Sequence, residues 1–109
     1  VTHAELCAAL TASGLAWTGE RWGDGEVPRL PYVVKCREGM PTTHADNSTA
    51  LVEDRWRLEL YSRNYDQASE AVLMSALDAA GLAYSCEPVG QVPDSGGVFE
   101  VCYYLTTIN

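Results

Sequence analysis

The chain has 109 residues, a mass of 11.9 kDa and a formal charge of −8, with 47% hydrophobic and 20% charged residues. That length builds one domain with its own core, and the composition is globular rather than disordered. Seven basic residues against fifteen acidic ones exclude the clustered cations that grip nucleic-acid phosphates or an anionic membrane.

The first element expected is a helix over Thr2–Ser13. Thr2 and Glu5 form a T-x-x-E capping box, which satisfies backbone donors at a helix start. Leu6, Ala9, Leu10 and Ser13 fall on one face, and Gly14 ends the helix. The stripe is narrow and alanine-rich, so the helix is expected to lie close against a sheet. Leu15–Thr18 reads as a short strand, and Gly19–Pro31 as a turn-rich stretch holding Trp22. That indole is either a lid over one edge of the core or an exposed anchor for a partner.

Tyr32–Glu38 alternates as a half-buried strand, with Tyr32, Val34 and Cys36 on one face and Val33, Lys35 and Arg37 on the other. Gly39–Ala50 is a polar connection with Pro41, Asp46 and Asn47. Leu51–Arg63 is the strongest strand signal. Trp56, Leu58 and Leu60 face one way, and Glu53, Arg55, Arg57, Glu59 and Tyr61 the other. Thirteen extended residues span roughly 43 Å, against a radius of gyration of about 13 Å for a domain this size. The strand therefore bends, or its start protrudes with the preceding connection as an arm. Its outer charges are expected to form a solvated face, with pairing to Lys35 and Arg37 across the hairpin as the alternative.

Asp66 caps a second helix that runs to about Ala80, with Val72, Leu73, Ala76, Leu77 and Ala80 as its buried stripe and Gly81 as its stop. Leu82–Cys86 reads as a strand, Pro88–Gly97 as a turn region and Val98–Thr106 as the last strand. On that strand Phe99, Val101, Tyr103 and Leu105 oppose Glu100, Cys102 and Tyr104. The expected fold is a single α+β domain, a mainly antiparallel sheet of four or five strands with both helices on one face.

Little in the chain points to catalysis. The apolar runs, such as Val101–Leu105, fall far short of the ~20 residues of a membrane-spanning helix. No basic-then-apolar leader opens the sequence, so a cytosolic residence is expected. Cys7, Cys36, Cys86 and Cys102 include no C-x-x-C pair, which leaves free thiols, several of them serving as small core residues. His3 is expected at the surface of the first turn. A cysteine with His44 and Asp46 would be the makings of a thiol triad, and Asp24, Glu26 and Asp46 those of a hard-cation site. Neither set has a supporting motif, so no cofactor, metal or catalytic residue is assigned. Trp56, Tyr32 and Tyr103 would line the pocket of a small ligand-binding or regulatory module, the alternative to a structural role.

The order of several short motifs resembles small tail proteins of long-tailed bacteriophages and prophages. A short helix leads to Pro31-Tyr32-Val33-Val34, then Ala45-Asp46-Asn47, then the charged strand ending Leu58-Glu59-Leu60-Tyr61. Asp66 and Glu70 follow, then Gly81-Leu82-Ala83-Tyr84 and a tyrosine-rich last strand. Such proteins are similar to tail terminators and head–tail joining proteins. The resemblance implies a non-enzymatic ring, often six-fold, that meets the major tail tube protein and the head-side connector. It implies assembly in the host bacterial cytoplasm and a final place in the virion tail. The stretch Glu20–Pro31 with Trp22 departs from the family pattern. Candidate interface residues are Trp22, Asp46, Asn47, Arg55 and Arg57.

Overall fold

The computed structural model describes residues 1–39, 42–45 and 48–108, of which 42–45 and 48–52 are described by their backbone. Helix α1 spans His3–Ala12, and Thr2 and Glu5 close both halves of the capping box. Strand β1 follows at Ala16–Gly19, then β2 at Tyr32–Gly39, β3 at Thr42–Ala45 and β4 at Ser48–Arg63. Helix α2 spans Gln67–Ala79, and the chain ends in β5, Ser85–Gln91, and β6, Val98–Ile108. The Asp66 carboxylate accepts from the Ala68 and Ser69 amides and caps α2.

The strands lie in the order β1-β2-β4-β6-β5, and β3 pairs with the start of β4. Strand β1 runs parallel to β2, and every other pair is antiparallel. The molecule is therefore an α+β domain with a mixed, mostly antiparallel sheet and its helices on one face. Leu6 and Leu10 of α1 and Leu73 and Leu77 of α2 pack on Val33, Leu58, Leu60, Val101 and Tyr103 of the sheet. All of these are closed to solvent.

The long β4 resolves into two parts. From Glu53 to Arg63 it pairs with all of β6. Before Glu53 its ladder is to β3, with Thr42 opposite Val52 and Ala45 opposite Ser48. The connection read as a twelve-residue loop thus contains a strand, and the start of β4 protrudes with it as a hairpin arm. The molecule is accordingly elongated, 54 × 27 × 24 Å with a radius of gyration of 15.1 Å.

Four further expectations change. Strand β5 begins at Ser85, because Leu82 folds back into the core and its amide donates to the Leu77 carbonyl at 3.0 Å. The same strand runs on through Pro88 to Gln91, in what reads as a turn region. It is an edge strand, where the missing proline amide is tolerated, and its bulge uses Gly90 at a φ of 119°. Val72 stands 43% exposed, because α1 and the sheet contact α2 along the Leu73–Leu77 line. Lys35 and Arg37 do not meet the outer charge ladder. Their partners across the hairpin are Leu58 and Trp56, which puts both on the core face.

Candidate functional site

Two polar clusters stand out, one on each face of the sheet. On the core face, the arm-side end of the domain is closed by His3, Lys35, Arg37, Asp54, Trp56 and Thr107. His3 stacks on Trp56 with ring centroids 4.7 Å apart and planes within 9°. It is half-buried there rather than at the surface. Lys35 Nζ lies 4.1 Å from the centre of the same indole and 3.0 Å from His3 Nε2. An ammonium can only donate, so Nε2 is the acceptor and His3 is neutral. Trp56 Nε1 donates to Thr107 Oγ1 at 2.9 Å, and Arg37 holds the buried Asp54 carboxylate at 2.6 Å.

Burial and the neighbouring Lys35 push the His3 pKa below its usual 6.5, with Arg37 adding to the fall and Asp54 opposing it. A depressed folded pKa gives stability that is complete above the unfolded value and is lost as pH falls through the folded one. Melting temperature is therefore expected to drop as pH is lowered from about 7 to about 5. In His3→Phe, which keeps an aromatic ring and removes the titration, that slope is expected to flatten. An unchanged slope in the variant would assign the pH dependence to other groups.

Among the described residues the opposite face carries no helix. Its side chains line up across strands by register. Tyr32, Tyr61 and Glu100 form one row, and Val34, Glu59, Cys102 and Glu87 the next. Cys36, Arg57, Tyr104 and Ser85 form a third. Arg57 donates to Glu59 at 2.9 Å and also pairs with Glu38. Tyr61 donates to the other Glu59 oxygen at 3.0 Å, and the Cys102 thiol donates to Glu100 at 3.2 Å. Burial, then the bond to Glu100 and the charges of Glu100 and Glu59, push the Cys102 thiol up to about 12. The same two carboxylates, after burial, raise the Tyr61 hydroxyl. Burial opposes the charged form of Arg57, but its bond to Glu59 and the charges of Glu59 and Glu38 outweigh it, so the guanidinium is held fully protonated.

Glu59, Glu100 and Cys102 place one ligand atom each within 4.8 Å of one another. Their oxygens and sulfur are bonded within the network, and a thiol this hard to deprotonate is a poor metal ligand. The cluster is a polar seam in which Arg57 is bonded to Glu38 and Glu59, and Glu100 lies beside Glu59 and Cys102.

No family model matches the chain, and no curated protein matches its sequence.

The expected interface residues are partly brought together. Trp22 packs edge-on to Tyr32, with centroids 5.8 Å apart at 87°, and Tyr32 contacts Tyr61. Trp22 is thus a half-buried lid at one end of the helix-free face. Arg57 sits mid-face. Arg55 lies at the arm end, exposed beside an open groove of about 430 Å³ that Tyr84, Ser85, Tyr104 and Thr106 also line. Asp46 and Asn47 lie outside the described residues, as do the Asp46 member of the cation set and the His44 side chain of the triad. Asp24 and Glu26 are exposed. Trp56 and Tyr103 face the core while Tyr32 lies on the other side of the sheet, so these three do not line one pocket. All four cysteines are free thiols, but only Cys102 is buried and Cys86 is exposed. Among the described residues no helix is long and apolar enough to cross a membrane.

The convergence of Glu59, Glu100, Cys102 and Arg57 was not visible in the sequence. The alternation in Leu58-Glu59-Leu60-Tyr61 and in Glu100-Val101-Cys102-Tyr103 puts each on an outer face, but the register that sets them side by side is a tertiary fact.

Proposed function

We propose that the chain is a non-enzymatic subunit of a phage or prophage tail, a tail terminator or tail-completion protein. It works as a ring, six-fold by the resemblance, between the major tail tube protein and the head-side connector. The observation that carries this reading is the β3–β4 arm, which runs past the ends of β2 and β6 and pairs only with itself among the described residues. A hairpin that leaves its own domain exposes strand edge to solvent, a liability that a permanent neighbour removes. Contacts between different patches of identical chains close into rings. The helix-free sheet face supplies a second broad surface for a neighbour. The acidic balance suits a ring through which DNA slides, since gripped phosphates would add affinity and hinder passage. Assembly in the host cytoplasm and incorporation into the virion tail follow from the same reading.

The test is deletion of the gene from an inducible prophage or phage genome, followed by electron microscopy of the particles. Filled heads without tails, beside free or overlong tails, are expected, with rescue by the gene in trans. Joined particles with tails of normal length would falsify the reading.

A further inference from the structure

The edge of β6 is interrupted. Strand β5 covers it as far as the pair of Ser85 with Tyr104. At the far end, the Ile108 amide donates to the Val1 carbonyl at 2.9 Å. Val1 therefore occupies the same edge, on the side away from β4. Between these two contacts no strand of the described residues pairs with that edge. Backbone groups along a strand point alternately to its two sides, and residues two apart point the same way. Ile108 points to the open side, so the Thr106 N–H and C=O do too. They face a gap at Leu105–Thr107, roughly 10 Å long. The 430 Å³ groove beside Arg55 and Tyr84 opens at this gap.

The chain also carries a strand edge without a partner. Strand β3, four residues long, pairs with β4 on one side. No strand of the described residues meets its other side. Its length, roughly 13 Å extended, is close to that of the gap. It sits on an arm that leaves its own domain, so it is presented outward. It cannot fill the gap of its own chain, because the whole width of β4 lies between them.

We propose that β3 of one copy adds as a strand to the Thr106 gap of the next copy. This rests on the reading of the chain as a ring subunit and names the contact that makes the ring. The main chain supplies the bonds and the groove supplies the bed for side chains, as in other strand additions. Arm and gap are different patches, so the contact is heterologous and repeats around an axis until it closes.

Thr106→Pro tests it on the full chain. The substituted N–H faces the gap and not β4, so the ladder to β4 keeps its bonds, and proline is tolerated at such edge positions. Self-association is read by light scattering after size exclusion over a hundredfold concentration range. Unchanged circular dichroism and melting check that the variant is folded. Wild type is expected to associate, Thr106→Pro to associate roughly tenfold or more weakly, and Thr106→Ala to match wild type. Amide exchange at Thr106 in the wild type gives a second reading free of any substitution. It is expected to slow by about tenfold or more from dilute to concentrated solution.

Association that Thr106→Pro leaves intact, or an unprotected Thr106 amide in the associated state, overturns the contact. The ring would then use another surface, and the gene deletion judges the ring reading separately. A wild-type chain that stays monomeric at every concentration also overturns the contact.

Discussion

Trp56→Ala is expected to lower the unfolding free energy by about 3–5 kcal/mol, the largest effect of any single truncation at the arm end of the core. The indole is 6% exposed and packs with Leu58, Leu105 and the helices. It is also the floor on which His3 stacks and over which Lys35 rests. Removing it opens a cavity, leaves the buried Thr107 hydroxyl without its donor, and unseats the first turn of α1. Urea unfolding measures the loss. Trp56→Phe separates the contributions, since it keeps most of the apolar volume and loses the N–H. That variant is expected to cost about 1–3 kcal/mol through the orphaned Thr107 hydroxyl. A loss below about 1 kcal/mol in Trp56→Ala would mean that the arm end is not anchored through this residue. The pH dependence assigned to His3 is expected to weaken in Trp56→Ala as well, because an unstacked imidazole returns toward solvent.

Local pattern made much of the fold legible, and long-range pairing accounts for what it missed. The capping box at Thr2 and Glu5, the Asp66 cap and the alternation of Trp56, Leu58 and Leu60 act over a few residues, and each appears as expected. The faces of β2 were a different matter. Alternation separates Tyr32, Val34 and Cys36 from Val33, Lys35 and Arg37, but it does not say which set is inside. Two cations in the second set make it look like the solvent side. The fold instead uses them to close the core, one resting on an indole and the other bonded to Asp54. That Arg37–Asp54 bond joins residues seventeen apart, and no local rule selects it. Proline and glycine in Pro88–Gly97 signalled a turn, because the rule that excuses proline from a ladder applies only at an edge. Which strand is the edge is settled by the whole sheet. The overlong β4 was the most informative mismatch. Its length against the size of the body already required a bend or a protrusion, and the pairing of β3 with Ser48–Val52 identifies the protrusion.

On the helix-free face, Arg57→Ala is expected to destabilise the domain by about 1–2 kcal/mol at neutral pH. Arg57 is the only cation bonded to Glu38 and Glu59 among the described residues, and Glu100 lies within the same cluster. Its loss leaves Glu38 and Glu59 without the guanidinium to which both are bonded. The Arg57 side chain is 34% exposed, so water screens part of these interactions, and the figure stays below that for a fully buried pair. Arg57→Lys is expected to recover only part of the loss, because a single ammonium cannot bridge two carboxylates with the geometry of a planar fork. Urea unfolding of the three proteins at neutral pH provides the measurement. An Arg57→Ala protein as stable as wild type would show that water screens these pairs to nothing. A loss of the expected size that Arg57→Lys only partly recovers would mean that this face is tied together by one planar cation serving two anions.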